Sequence, residues 1–410
     1  MKRAAIAVSI CLGLASQPAR ALDWSLGTTQ SETVELNNNL FLKTPPSGVI
    51  GSYSLLSADA EARTSTSKFD FDADGSYRKN WGPGVDGITS EFINYGFKTR
   101  YEQKEKTPFD REFVETRWRQ QSTAFALLSD LGIATTVRGF IDRLTFSGGI
   151  DRSITARDSF NLFATSTQTS YEPSTGGTAF TDTDGVGSWR HDLTSRAALN
   201  LSSNAELLDF DNMFNTRVQI YRNKIGADVT VSPLLSVRGN IGSAHVATQR
   251  GLPTTPAIGP TTPISSTTND WIGDAVLTYK VFADTTFAFN AEQSIAPSIV
   301  GTLFKRDSLT ATLNYTINSH STLAFSANAY RQIATTTTDF ASASVSYGYT
   351  FTREWNAQLS YRYLHRFAST GTAIVDPITG FPTVSGTGPA DSHSLLLVVS
   401  HSYLVLPPGN

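Results

Sequence analysis

The stretch Leu309-Thr310-Ala311-Thr312-Leu313-Asn314-Tyr315-Thr316-Ile317-Asn318 alternates apolar and polar side chains without a break. After a turn at Ser319-His320-Ser321 the apolar face resumes at Leu323, Phe325 and Ala327. The segment from Ala343 to Phe351 repeats the pattern, with Val345, Tyr347 and Tyr349 set against Ser344, Ser346 and Gly348. A turn at Thr352-Arg353-Glu354 then leads into Trp355, Ala357, Leu359, Tyr361 and Tyr363, which face away from Asn356, Gln358, Ser360 and Arg362. A period of two is that of a strand, whose successive side chains leave opposite faces of a sheet. The polar face is mostly Ser, Thr, Asn and Gln. Such strands suit a sheet with hydrocarbon on one side and water on the other, the situation inside a closed transmembrane barrel. A soluble β-sandwich gives the same alternation, so a second observation has to separate the two.

The N-terminus supplies it. Lys2 and Arg3 form a charged start, Ala4 to Ala15 an apolar core, and Ala19-Arg20-Ala21 a small-residue cleavage site, so residues 1–21 read as a secretory signal peptide. The apolar core is too short to span a membrane as a helix, and no later segment approaches twenty apolar residues. Cys11, the single cysteine, lies in that core, which leaves the mature chain without thiols for disulfides or metal ligation. With Lys2, Arg3 and Arg20 removed from the 33 basic residues, 30 remain against 36 acidic ones, a net charge of −6 that argues against nucleic acid as a partner.

Residues 22–410 are thus expected to form one all-β, transmembrane, antiparallel up-and-down barrel in the cell outer membrane, in contact with its lipid and its assembly machinery. Counting alternating segments gives about eighteen strands, or sixteen if the weakly patterned regions 113–125 and 205–213 are not strands. The first strand is expected over Thr28–Leu42 and the second from Tyr53 to Arg63, separated by Thr44-Pro45-Pro46-Ser47-Gly48. Loops are expected over Pro173–Gly187, Gly251–Asn269 and Ser369–Ala390, and a turn at Ser202-Ser203-Asn204. The stretch Phe125–Arg138 reads equally as a helical turn, a plug or an extracellular loop. Leu395, Leu397, Val399, Tyr403 and Val405 mark a final strand, although the chain ends on Pro407-Pro408-Gly409-Asn410 and not on the aromatic residue common in such barrels.

No phosphate-binding glycine loop and no nucleophile elbow is present. The six histidines lack ligand spacing, and Asp391-Ser392-His393 carries little weight in so Ser-rich a chain. No catalytic residue, metal or cofactor is therefore assigned. The aromatics Tyr347, Tyr349, Trp355, Tyr361 and Tyr363 have the outward parity of an interfacial girdle. The inward parity holds the candidates for a lumen lining: Lys98, Arg100, Arg117, Arg119, Asp274, Lys280 and Arg362. Together with Asp70, Asp72, Asp74 and Glu102 they form either structural ion pairs or a hydrated path, and an excess of cations would favour anionic solutes.

The hairpin from Tyr347 to Tyr363, with its Thr352-Arg353-Glu354-Trp355 turn, resembles a repeated unit of the outer-membrane β-barrel family associated with exosortase/PEP-CTERM exopolysaccharide loci. The turn Ile154-Thr155-Ala156-Arg157-Asp158-Ser159-Phe160 is similar to turns of that family, and related ones recur at Pro233, Asp284 and Ser319. The resemblance implies passage or surface handling of an exopolysaccharide, and it brings no catalytic residues. A porin for small polar solutes, a non-conducting structural or adhesive barrel, and a lipid-modifying barrel enzyme are the other readings.

Overall fold

The computed structural model describes residues 23–40, 42, 44–85, 90–104, 110–123, 139–172, 178–212, 215–251, 264–297, 303–333, 337–368 and 388–406. The expected signal peptide, residues 1–21, and the Phe125–Arg138 stretch lie outside them. The strands are β1 Asp23–Asn37, β2 Val49–Arg63, β3 Ser67–Trp81, β4 Glu91–Lys104, β5 Arg111–Ser122, β6 Phe140–Ser153, β7 Asp158–Glu172, β8 Phe180–Thr194 and β9 Ala197–Phe210. They continue as β10 Thr216–Ser232, β11 Leu235–Arg250, β12 Ile264–Phe282, β13 Thr285–Pro297, β14 Leu303–Asn318, β15 Ser321–Ile333, β16 Thr337–Thr350, β17 Trp355–Arg366 and β18 Ala390–Leu406. Each pairs antiparallel with its neighbours in sequence, and β1 pairs with β18 from Leu26 opposite Leu406 to Asn37 opposite Ser394. The sheet is therefore closed, with eighteen strands. The two weak regions are strands too, as β5 and the second half of β9.

Closure answers the demand that hydrocarbon makes on a backbone. Every N–H and C=O in the bilayer needs a partner, and a closed ladder leaves no open edge. Among the described residues no helix is long and apolar enough to cross a membrane; the strands do it. They are 12–19 residues long, so all extend beyond the 9–11 residues that a tilted strand needs. Connections of two residues, such as Ser195-Arg196, Pro233-Leu234 and Ser319-His320, lie at one end of the barrel; β1 begins and β18 ends at that same edge. The longer connections lie at the other.

The outward face is apolar. Leu201, Ile225 and Ile241 stand opposite one another on β9, β10 and β11, and Leu359 and Leu397 on β17 and β18; all are exposed, as lipid-facing groups are in the isolated chain. Aromatic rings flank this belt. At the short-turn edge Trp355 stacks on His401, with centroids 4.4 Å apart, and His401 on Tyr403. At the other edge His393 packs against Tyr361 and Tyr363. The expected girdle rings therefore sit on the outer surface.

Four local expectations are corrected. The first strand runs from Asp23 to Asn37, while Leu42 has φ 48° and is fully buried inside the barrel, so alternation past Asn37 was coincidental. The second begins at Val49, where Gly51 at an inward position conceals the alternation. Ser202-Ser203-Asn204 lies mid-strand in β9 and the turn is at Ser195-Arg196: Ser202 and Asn204 face the lumen, where small polar residues are as acceptable as in a turn, and Ser203 faces outward. Phe180–Gly187 and Ile264–Asn269 are strand and not loop: their outward positions are Thr, Ser, Asn and Gly, and pairing with β9 and β11 supplies what their side chains do not signal. The Ser369–Ala390 loop lies outside the described residues up to 387, and Ala390 opens β18.

Replacing Leu313 or Leu359 by Arg puts a charge on the lipid face, costing about 2–4 kcal/mol at the bilayer midplane. Both substitutions should reduce the heat-modifiable, folded barrel in membranes. Thr312→Arg and Gln358→Arg, with inward parity, should leave its yield near that of the parent.

Candidate functional site

The lumen holds the charge. On the wall formed by β3, β4 and β5, register places Asp70 opposite Arg100 and Arg100 opposite Glu115. Asp72 stands opposite Lys98 and Lys98 opposite Arg117 in the next inward row. In the row above, Asp74 and Arg119 flank Gly96. A Cβ at Gly96 would lie 2.6 Å from the Trp118 carbonyl, and the absence of a side chain there lets Arg119 reach Asp74 at 2.7 Å. Lys98 binds Asp72 at 2.8 Å, and Arg100 lies between Glu102 at 3.3 Å and Glu115 at 3.4 Å. Arg117 is the most loosely held, 3.7 Å from Glu115 and more than half exposed. The four cations expected on this wall are thus brought together, but each has a carboxylate within ion-pair distance. An uncompensated cationic field is excluded here.

A second lattice lies on the wall formed by β8 to β12. Asp274 accepts from Lys224 at 2.9 Å and from Asn240 at 2.6 Å. Asp228 takes Arg238 at 2.7 Å and also Arg190, and Arg222 binds Glu206 at 2.5 Å. Lys280 is exposed on β12 near the short-turn edge and makes no ion pair with a described residue. It is the one sequence candidate left outside these networks.

Arg362 belongs to a third group, at the seam where the barrel closes. Glu35 on β1 accepts from Arg78 of β3 at 2.7 Å, from Asn37 at 3.2 Å and from Arg362 of β17 at 3.5 Å. Glu35 and Arg78 are nearly buried. Asn37 also accepts from the Asn39 backbone N–H and the Ser392 hydroxyl, while Arg366 donates to the Leu42 carbonyl. These bonds draw the chain after β1 into the lumen, where Leu42 packs with Phe340 and Ala390. The partners Glu35, Arg78, Glu115, Glu206 and Arg222 were not singled out from sequence. Their inward parity was readable; which strand would lie opposite was not.

The lumen is uneven along its axis. Towards the short turns Asp59, Arg238 and Lys280 are exposed to water. Towards the long connections, inward-facing Phe92, Leu208, Ile220 and Phe340 are at most 2% exposed. Any constriction therefore lies in the long-connection half, where the Glu35 and Glu206 ion pairs also sit. Ser392 points inward, whereas Asp391 and His393 point outward, so this run forms no catalytic triad. Asp391 instead binds the Tyr363 hydroxyl at 2.6 Å and His365 at 2.7 Å on the outer rim. Among the described residues no cluster of metal-ligating side chains is present.

Removing the Glu35 carboxylate takes away the acceptor 2.7 Å from the buried Arg78 guanidinium, and breaking a buried pair in this way typically costs about 3–5 kcal/mol. Glu35→Ala should lower the temperature at which the folded band converts to the unfolded one. Glu91→Ala, at the exposed rim opposite Lys79, should leave it unchanged.

No family model and no curated protein matches this chain. Solved structures similar to it include the ferric-catecholate import receptor Fiu from E. coli K12, at 9% identity over 95% of this chain and 82% of that one, with a TM-score of 0.48. OccK2 (OpdF) from Pseudomonas aeruginosa has 10% identity over 94% and 98% of the two chains and a TM-score of 0.48. The FrpB iron transporter from Neisseria meningitidis has 7% identity over 93% and 81%, also with a TM-score of 0.48. These are distant likenesses of shape. The closed register, apolar belt and aromatic edges themselves make this chain an outer-membrane β-barrel.

Proposed function

We infer that the barrel is a non-enzymatic channel for polar, largely uncharged solutes, with exopolysaccharide or its fragments as the cargo class. The observation that supports this most is the pairing of lumen charges: Asp72 with Lys98, Asp74 with Arg119, and Glu115 with Arg100 and Arg117. Paired charges interleaved with Ser, Thr and Asn offer many hydrogen-bond donors and acceptors but little net field. That surface suits sugar hydroxyls better than ions of either sign. The resemblance of the Tyr347–Tyr363 hairpin to barrels of exopolysaccharide loci points to the same chemistry. The anionic preference expected from a cationic wall loses its support, because the cations are neutralised.

A second reading, a structural or adhesive barrel with a blocked lumen, draws support from the packing of Leu42, Phe340 and Ala390 inside the wall.

Planar-bilayer conductance and swelling of liposomes in neutral oligosaccharides separate the two. The channel reading expects conductance with weak ion selectivity and uptake of the sugars. Substituting Arg100, Arg117 and Arg119 together by Gln leaves Asp74, Glu102 and Glu115 uncompensated and should turn the pore towards cations. A folded barrel with neither conductance nor swelling, in parent and variant alike, would leave the structural reading in place.

A further inference from the structure

The lipid-facing belt is interrupted by a groove of about 690 Å³. It crosses β12 to β16 along the hydrogen-bonding direction, a run of roughly 20 Å at about 4.8 Å per strand. In β12 to β15 its lining takes the outward residues on either side of an inward one. Ala291 and Gln293 flank Glu292 in this way, and Asp307 and Leu309 flank Ser308. The groove therefore lies on the outer surface of the wall, between two rows of outward side chains. At its β12 end the ladder itself stops, since β12 and β13 pair only up to Gly273 opposite Gln293.

The two banks differ in chemistry. On the side of the long connections, register sets Gln293, Asp307, Arg331 and Asp339 next to one another on β13 to β16. On the other side the row is Ala291, Leu309, Ala329 and Ala341, and beyond it come Ala311, Ala327 and Ala343. Small side chains on successive strands keep this floor low, while Trp271 and Phe367 stand at its two ends. Polar groups towards the rim and apolar ones towards the membrane interior match the order of groups in a bilayer amphiphile.

On the polar bank one charge is left over. Arg331 is held by Asp339 through bonds of 2.9 and 3.0 Å, and Lys305, one row nearer the rim, by Asp270 at 2.9 Å. Where the ladder stops, Gln293 donates to the Trp271 carbonyl at 3.1 Å and the Trp271 N–H to Asp270 at 2.9 Å. Asp307 lies between Gln293 and Arg331 in register, yet its Oδ1 is shielded from water and has no hydrogen-bond partner. Among the described residues, two cations and three carboxylates thus stand at this bank, and Asp307 is the carboxylate that neither cation takes. A carboxylate beside hydrocarbon needs a counter-charge, which the occupant of the groove has to bring.

We propose that the groove binds a single bilayer amphiphile with a primary ammonium in its head group, the ammonium on Asp307 and a hydrocarbon chain over Ala291, Leu309 and Ala329. The chain gains little by exchanging lipid for an apolar floor, so the charge-assisted hydrogen bond to Asp307 is what selects the ligand. A second copy of the barrel fits the recess less well, because closed barrels are convex and meet along a line. The site lies outside the lumen and is independent of what the channel passes.

The test is native mass spectrometry of the purified barrel, released from micelles that contain phosphatidylethanolamine and phosphatidylglycerol in equal amounts. The parent should retain one phosphatidylethanolamine in preference to phosphatidylglycerol by about tenfold, the worth of one hydrogen bond to a charged group. Asp307→Asn keeps the shape of the side chain without its charge and should abolish that preference. Ala329→Trp fills the groove and should abolish it too, whereas Ala357→Trp on β17, outside the groove, should leave it intact. Should the Ala329 variant not assemble, the Asp307→Asn comparison decides alone. Equal retention of the two lipids by the parent would overturn the proposal, and so would a preference that survives Asp307→Asn, since lipid would then be held without this site. A lipid-free dimer would overturn it as well, by placing a second copy in the groove. Conductance of the same preparations reads the channel alone, and Asp307→Asn should leave it unchanged.

Discussion

Pairing between β1 and β18 is the contact on which the rest of the molecule depends. Without it the sheet has two open edges, and in hydrocarbon each unpaired N–H or C=O costs several kcal/mol. With it the wall becomes continuous, and the inside can hold water and charge. The seam is reinforced from within: Glu35 of β1 gathers Arg78 from β3 and Arg362 from β17, binding strands on both sides of the junction. The buried ion pair is thus placed where the first and last strands must find each other across the whole length of the chain.

Once closed, the barrel divides its side chains by parity alone. Outward positions are dissolved in lipid and are bounded by Trp355, His401, Tyr361 and His393 at the two edges. Inward positions must satisfy one another or water, and register meets that need by setting Asp72 against Lys98 and Asp70 against Arg100. The consequence for function is a lumen rich in hydrogen-bonding groups and poor in net charge. Charge pairing of this kind governs selectivity by the geometry of donors and acceptors, and much less by attraction over a distance.

The gap between β12 and β13 departs from this rule, and its chemistry differs accordingly. Where the ladder stops, Gln293 and Asp270 take up the Trp271 carbonyl and N–H, and Lys305 ties Asp270 to β14.

The sequence by itself determined the class of structure and the face on which each residue lies. Runs such as Leu309 to Ile317 show the period of two directly, and about eighteen such runs behind an N-terminus that reads as a secretory signal point to an outer-membrane barrel. It also assigned Lys98, Arg100, Arg117, Arg119, Asp274, Lys280 and Arg362 to one parity, and all of them but Lys280 make ion pairs with described residues. Strands were misread where outward positions were Thr, Ser or Gly, as in Phe180–Gly187, because lipid-facing polarity near a rim resembles a loop. What only the tertiary structure decided was adjacency. Whether Arg119 is a free cation or the partner of Asp74 depends on strands β3 and β5 meeting over Gly96, and whether Glu35 is exposed or buried depends on closure. Parity is a property of one strand and can be read along the chain; neutralisation and sealing are relations between strands, and those exist only once the register is set.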